Sequence, residues 1–177
     1  AFELAHRLRR DGARDLTQLL GGPEDGRRPG AVLPPLRRRP AGFKGLARVI
    51  VGQQLSIASA TAIWQRLEAR VRPFTTESLL ATPDKDLRLA GLSAGKIATL
   101  RGVAESVTNG SLDLDALKRA REGLIHAKLT ALKGISPWTA DIYILFCLAR
   151  ADAWSPGDLA LQVAVRDAFA LEARPDQ

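Results

Sequence analysis

The chain has 177 residues, enough for one ordinary domain or two small lobes around a shared core and too few for multidomain machinery. Apolar residues at 46% and charged residues at 25% match the usual globular balance, which excludes wholesale disorder. The net charge of +7 favours a polyanionic partner such as nucleic acid, and the excess is N-terminal: residues 1–48 hold eleven basic and five acidic residues, residues 49–177 fifteen and fourteen.

In chain order, Phe2, Leu4, Leu8, Leu16, Leu19 and Leu20 lie among charges at a spacing that predicts a helix with one face inward. GGPEDGRRPG breaks it. The stretch RRPGAVLPPLRRRP from Arg27 to Pro40, with four prolines and five arginines, reads as an extended basic connector, either a solvated loop or a contact for phosphate. A long helical tract follows over Phe43 to Ala69, interrupted by the polar GQQLS between two apolar segments. Short helices are predicted over Thr75–Leu80, capped by Thr75 or Thr76, and over Asp84–Leu89, capped by Thr82 with Pro83 in the first turn. Ser93 is a candidate cap for a helix carrying Ile97, Leu100, Val103 and Val107. Further helices are predicted over Asp113–Arg121, Gly123–Lys133 and Thr139–Arg150. No strand-like alternation persists and no internal repeat occurs, so the chain reads as almost entirely helical.

One cysteine, Cys147, supplies neither an intrachain disulfide nor four thiolates for an iron–sulfur cluster, and points to a reducing cytosol. No apolar run reaches the roughly 18 to 20 residues that cross a bilayer, and AFELAHRLRR lacks a signal-peptide apolar region. His6 and His126 have no ligand spacing with acids or with Cys147, so no catalytic metal is expected. The chain starts without Met and stops soon after an apolar helix-like stretch, which leaves open that terminal helices are missing.

Two segments carry chemistry. In Leu132-Lys-Gly-Ile-Ser-Pro-Trp138, Gly134 permits a conformation closed to other residues, and Pro137 has no amide to lose where the next helix starts. The amides of Ser136 and Thr139 at that helix start are placed to meet a DNA phosphate, unless the segment is an ordinary packing corner. Twenty positions after Trp138, in Trp154-Ser-Pro-Gly-Asp158, a loop ends in an acid at a helix start. By composition alone Asp158 is a plain N-cap.

The pairing changes that reading. LKGISPWTADIYILF and WSPGDLALQ together resemble the helix-hairpin-helix DNA glycosylase superfamily, and most nearly its alkylated-base branch, DNA-3-methyladenine glycosylase II, in a short form without the extra N-terminal β domain. RVIVGQQLSIASATAIWQRL at Arg48–Leu67 is similar to that branch's DNA-inserted helix–loop–helix, and GLSAGKIATL at Gly91–Leu100 is a weaker match. The likeness spans residues 32–172 or so.

The resemblance implies an all-α, two-lobed fold with a DNA-binding cleft between lobes. Within it, residues 1–42 form the N-terminal helix and connector, 43–150 the core with its hairpin at 132–138, and 151–177 the catalytic-aspartate loop and following helix, with its completeness at the C-terminus left open. It implies a monofunctional enzyme of base excision repair that extrudes an alkylated purine such as 3-methyladenine or 7-methylguanine from double-stranded DNA and hydrolyses its N-glycosidic bond. Asp158 is then the catalytic carboxylate, stabilising oxocarbenium character on the sugar and orienting water. Trp138 stands where bifunctional members carry a nucleophilic lysine; an indole cannot form a Schiff base, and suits stacking on a cationic base unless it only packs the core. Lys133, inside the hairpin, is a poor substitute.

Gln54, or failing that Leu55, is the side chain expected to fill the vacated stack, with Gln53 bordering the pocket, unless the pair merely wets a helix break. Tyr143 and Trp154 are pocket candidates, Tyr143 fitting equally well on the apolar face with Ile144 and Phe146. Gly134, Ser136 and Thr139 are the expected phosphate contacts. The carbonyls of Thr130, Leu132 and Ile135 are the expected ligands of a structural monovalent cation, Na or K. Two departures stand out: Ser136 replaces a second hairpin glycine, and the chain stops where relatives continue into further helices. A cytosolic or nucleoid monomer is expected, needing no cofactor. The alternatives are a noncatalytic helix-hairpin-helix DNA-binding module and a glycosylase for deaminated or etheno purines.

Overall fold

A computed structural model describes residues 38–150 and 153–175, so the helix expected over residues 2–20 and most of the basic connector lie outside the described residues. Within the described residues every regular element is a helix. They divide into two compact units, 38–155 and 156–175.

The first unit is organised around α1 (Phe43–Gly52), which packs on α2 (Ile57–Arg70), α5 (Ala94–Thr108) and α8 (Pro137–Phe146). Leu46, Ala47, Val49, Ile50 and Val51 are all buried, more than one stripe of a helix can supply, because neighbours cover α1 on several sides. Each fully buried leucine or isoleucine here is worth about 1.5–3 kcal/mol of apolar burial. The entry to α1 is fixed from α8: the Gly42 amide donates to the Tyr143 hydroxyl at 3.0 Å. The end of the connector runs alongside, where the Arg39 amide donates to the Phe146 carbonyl at 2.9 Å.

The polar interruption of the long tract ends α1 at Gly52, and α2 restarts at the Ser56 cap, whose hydroxyl accepts the Ser59 amide. α2 is mostly exposed and is anchored by Trp64 and Leu67. In the next pair, α3 (Thr76–Ala81) and α4 (Asp84–Leu89), Thr75 caps α3 as the sequence suggests. Thr82 does not cap α4. Its hydroxyl donates to the Ser78 carbonyl at 2.7 Å and closes α3 instead, while Pro83 precedes α4 and leaves its first turn to Asp84 and Asp86. Arg101 of α5 clamps this corner, donating to the carbonyls of Leu80 and Thr82 and to Asp84 Oδ1.

The helix expected over residues 113–121 is the single turn α6 (Leu114–Leu117), because Arg119 and Ala120 turn back through three-residue bonds to Ala116 and Leu117. α7 (Glu122–Thr130) packs on α8, and the two enclose the hairpin turn. In the second unit, α9 (Leu159–Ala168) follows the Pro-Gly-Asp loop, which the Gln162 side chain ties down by donating to the Pro156 carbonyl at 2.9 Å.

Candidate functional site

Between α1 and α2 the backbone takes an unfavourable path. Gln54 has φ 55, a left-handed conformation that costs a residue with a Cβ about 1–2 kcal/mol, and its side chain is exposed, as is that of Leu55. Two groups hold this loop. Lys96 of α5 donates from Nζ to the carbonyls of Val51 at 2.6 Å and Gln53 at 2.9 Å. Gln53 donates from Nε2 to the Gly134 carbonyl at 3.1 Å and to Thr139 Oγ1 at 2.8 Å, reaching the hairpin more than eighty positions away. Burial lowers the Lys96 pKa below its ordinary 10.5.

The hairpin turn follows from its sequence. Leu132 accepts the Ile135 amide at 3.1 Å, Gly134 takes φ 87, and Ser136 caps α8 with Pro137 at its first turn. The Ser136 hydroxyl accepts the Thr139 amide at 3.3 Å, and Thr139 is wholly buried. Thr139 is therefore not a surface phosphate contact: its amide is taken by the cap, and its hydroxyl is shared by Gln53 Nε2 at 2.8 Å and the Ser136 hydroxyl at 2.9 Å. Its role is to brace the turn from inside. Gly134 and Ser136 remain exposed at the turn.

The loop and the hairpin face one cleft of about 610 Å³, lined by Gln53, Gln54, Gly134, Ser136 and Trp138 together with Ser93, Gly95, Lys96 and Thr99 of the α5 start. Trp138 is half-buried. Tyr143 is not in the cleft. It is fully buried in the core, its hydroxyl accepts the Gly42 amide, and burial pushes its pKa up to about 12, so it braces the α1 start and cannot touch a base. Trp154 is 53% exposed at the end of this unit and is not among the cleft residues. Leu55 sits on the loop tip, outside the cleft lining. Lys96 and Thr99 are the additions: the GLSAGKIATL segment marks where they lie, but nothing local signals that Lys96 reaches Val51 and Gln53.

In the second unit, Asp158 is the N-cap of α9. Its Oδ1 accepts the amides of Ala160 at 2.9 Å and Leu161 at 3.2 Å. The helix dipole favours the carboxylate there, and the two amides fix its orientation. Among the described residues no group of three His, Cys, Asp or Glu side chains could hold a metal ion, and no helix is long and apolar enough to cross a membrane.

Residues 47–177 match the HhH-GPD superfamily of base excision DNA repair proteins. The chain belongs to that superfamily. DNA-3-methyladenine glycosylase 1 of Schizosaccharomyces pombe is 31% identical over 125 residues, which cover 68% of this chain and 54% of that protein. The crystal structure of a DNA-3-methyladenine glycosidase from Bacillus halodurans superposes with a TM-score of 0.74 at 36% identity, over 94% of this chain and 73% of that one. The S. pombe 3-methyladenine DNA glycosylase solved with abasic DNA gives 0.76 at 25% identity, over 92% and 77%. This HhH-GPD chain spans about half the length of the curated relatives it matches.

Proposed function

We propose that this HhH-GPD protein is a monofunctional DNA glycosylase that extrudes an alkylated purine nucleotide from double-stranded DNA, hydrolyses its N-glycosidic bond and leaves an abasic site. The observation that carries the reading is the convergence of an exposed, backbone-strained Gln54 loop, the hairpin turn and Trp138 on one cleft. Names of relatives support the alkylated-base class.

Each part has a physical task. Extruding a nucleotide costs a few kcal/mol of stacking and pairing, and Gln54, already presented outward, takes the emptied place in the stack. Gly134 and Ser136 at the start of α8 grip the backbone without reading bases. The Trp138 indole stacks on the extruded cationic base. As that base departs, positive charge grows on the deoxyribose, and the Asp158 carboxylate, aligned by the α9 amides, stabilises it and orients the attacking water. A base that already carries positive charge departs with little acid assistance, so one carboxylate suffices. With Trp138 at the position of the lyase lysine, no covalent DNA adduct forms, and borohydride trapping is expected to yield none.

A monovalent cation at the hairpin belongs to the same proposal. The Leu132 carbonyl accepts the Ile135 amide, which leaves one of its two lone pairs for an ion, and carbonyls of this kind suit a hard monovalent cation; Thr130, Leu132 and Ile135 would hold it. It would brace the turn and add positive potential near the phosphate. The protein works as a monomer wherever the chromosome is, in the cytosol of a bacterium, and its single cysteine cannot supply four thiolates to an iron–sulfur cluster.

The competing reading is a noncatalytic DNA-binding module, favoured by one fact: capping α9 accounts for Asp158 by itself. Duplexes carrying 3-methyladenine, 7-methylguanine, hypoxanthine or ethenoadenine decide between them. The expected result is free 3-methyladenine or 7-methylguanine, with Asp158→Asn lowering the rate by about 10²–10³-fold while duplex binding persists. Binding without release of any base establishes the module, and release of the neutral purines alone establishes the etheno or deaminated-base enzyme.

A further inference from the structure

Lys96 stands in the first turn of α5, yet its ammonium serves another helix. The last carbonyls of α1 have no partner within the helix, and at this terminus they accept from Lys96: Val51 at 2.6 Å and Gln53, the C-cap, at 2.9 Å. A cation is favoured at a helix C-terminus by the dipole. The commonest helix ending places glycine in the left-handed position just beyond the cap. Here the cap Gln53 is extended at φ −52, ψ 130, and Gln54 after it is left-handed at φ 55, with the Leu55 amide donating to the Gly52 carbonyl at 3.3 Å; the turn position that favours glycine therefore holds a long polar side chain, beside carbonyls tied by a lysine.

Gln53 is grasped from both ends. Lys96 holds its carbonyl, while its own side chain donates to Gly134 and Thr139 of the hairpin. The loop is thereby joined to the hairpin turn by Gln53 itself and anchored to α5 by Lys96. We infer that Lys96 is a positioning residue for base extrusion: its ammonium fixes the strained backbone that presents Gln54, and through Gln53 keeps that loop in register with the hairpin. The inference deepens the glycosylase reading and rests on it for the duplex that Gln54 enters.

Lys96→Met keeps the length of the aliphatic stem and removes the donors; Lys96→Arg restores donors and charge. In the free protein, amide hydrogen exchange at Gln53 and Leu55 is expected to quicken about tenfold in Lys96→Met while the amides of Leu100 and Ile144 keep their protection, because loss of a local tie opens a local segment. Unchanged exchange at 53–55, or a uniform loss across the chain, overturns the inference. This arm needs no DNA.

With duplexes carrying 2-aminopurine at the target position, the fluorescence gain on binding is expected to fall at least about fivefold in Lys96→Met, with duplex affinity within about twofold, and to recover substantially in Lys96→Arg. A full gain in Lys96→Met, or no recovery with arginine, overturns it. Neither readout depends on base release. A parent that extrudes 2-aminopurine and frees no damaged base refutes the glycosylase reading and leaves the role of Lys96 intact; a parent that frees base while Lys96→Met extrudes normally does the reverse.

Discussion

A Cβ added to Gly134 would stand 2.0 Å from the Thr99 hydroxyl, so the hairpin turn rests directly on the flank of α5. The same glycine has φ 87, outside the range a side chain accepts comfortably. Gly134→Ala meets both penalties, overpacking and backbone strain, with an expected loss of about 2–4 kcal/mol. Thr99→Ala in the same chain removes the clashing hydroxyl and methyl and is expected to recover the packing part, about 1–2 kcal/mol, leaving the strain. Urea unfolding of the two single variants and the double variant measures this; purely additive losses would show that the two residues do not press on each other.

Much of the scaffold is legible because helix ends are local. Ser93 and Asp158 accept amides two or three residues ahead, as expected of them from sequence, and Asp113 and Ser136, read as a helix residue and a phosphate contact, turn out to be caps of the same kind. The same rule explains why Thr139 is not a phosphate contact: with Ser136 as cap and Pro137 first in the helix, Thr139 is the third helical residue, whose amide the cap takes. Trp138 and Tyr143 are harder to separate by sequence. Five residues apart on α8, they point about 140° from each other, so one can border the cleft and the other must enter the core, and composition does not say which. The Lys96 contacts were beyond reach of any local rule, since their acceptors lie 45 and 43 positions away and are backbone atoms.

The Gln53 bridge should be measurable as a coupling energy. Gln53→Ala and Thr139→Val each remove one side of the 2.8 Å bond between them. Gln53→Ala leaves the buried Thr139 hydroxyl with Ser136 Oγ at 2.9 Å, and Thr139→Val leaves Gln53 with the Gly134 carbonyl at 3.1 Å, so each is expected to cost about 0.5–1.5 kcal/mol, the net worth of one hydrogen bond. The double variant should lose less than the sum by about 0.5–1.5 kcal/mol. Denaturant midpoints at constant slope give the cycle, and a coupling near zero would mean that the loop and hairpin are held independently.

Cys147 should be inert in the folded protein. It is buried beside α1, and burial pushes its thiol pKa up to about 11, with Arg39 and Arg48 only partly opposing the shift. Thiol reagents attack the thiolate, so at neutral pH modification must wait for unfolding. Labelling is expected to speed up with denaturant in step with the loss of helical signal. Rapid stoichiometric labelling in buffer alone would contradict the burial of this side of α8.

Asp141 sets a pH dependence that one substitution isolates. It is buried on α8, and desolvation raises its pKa above the ordinary 3.8; the neighbouring Ser155 hydroxyl and charge on His126, whose Nε2 lies 3.4 Å from Oδ1, act against the rise. With a folded-state pKa above the unfolded one, the native protein binds the proton more tightly, so the contribution of Asp141 to stability is complete below the unfolded value and is lost as pH rises through the folded one. Asp141→Asn has no proton to lose. Relative to that variant the parent should therefore weaken as pH climbs from about 4, then run parallel once Asp141 is fully ionised. His126→Gln removes the opposing charge and should extend the sloping region to higher pH. Urea midpoints for the three proteins across the acid range provide the measurement, and a parent profile parallel to that of Asp141→Asn from the most acidic point onward would show that burial leaves this carboxyl untouched.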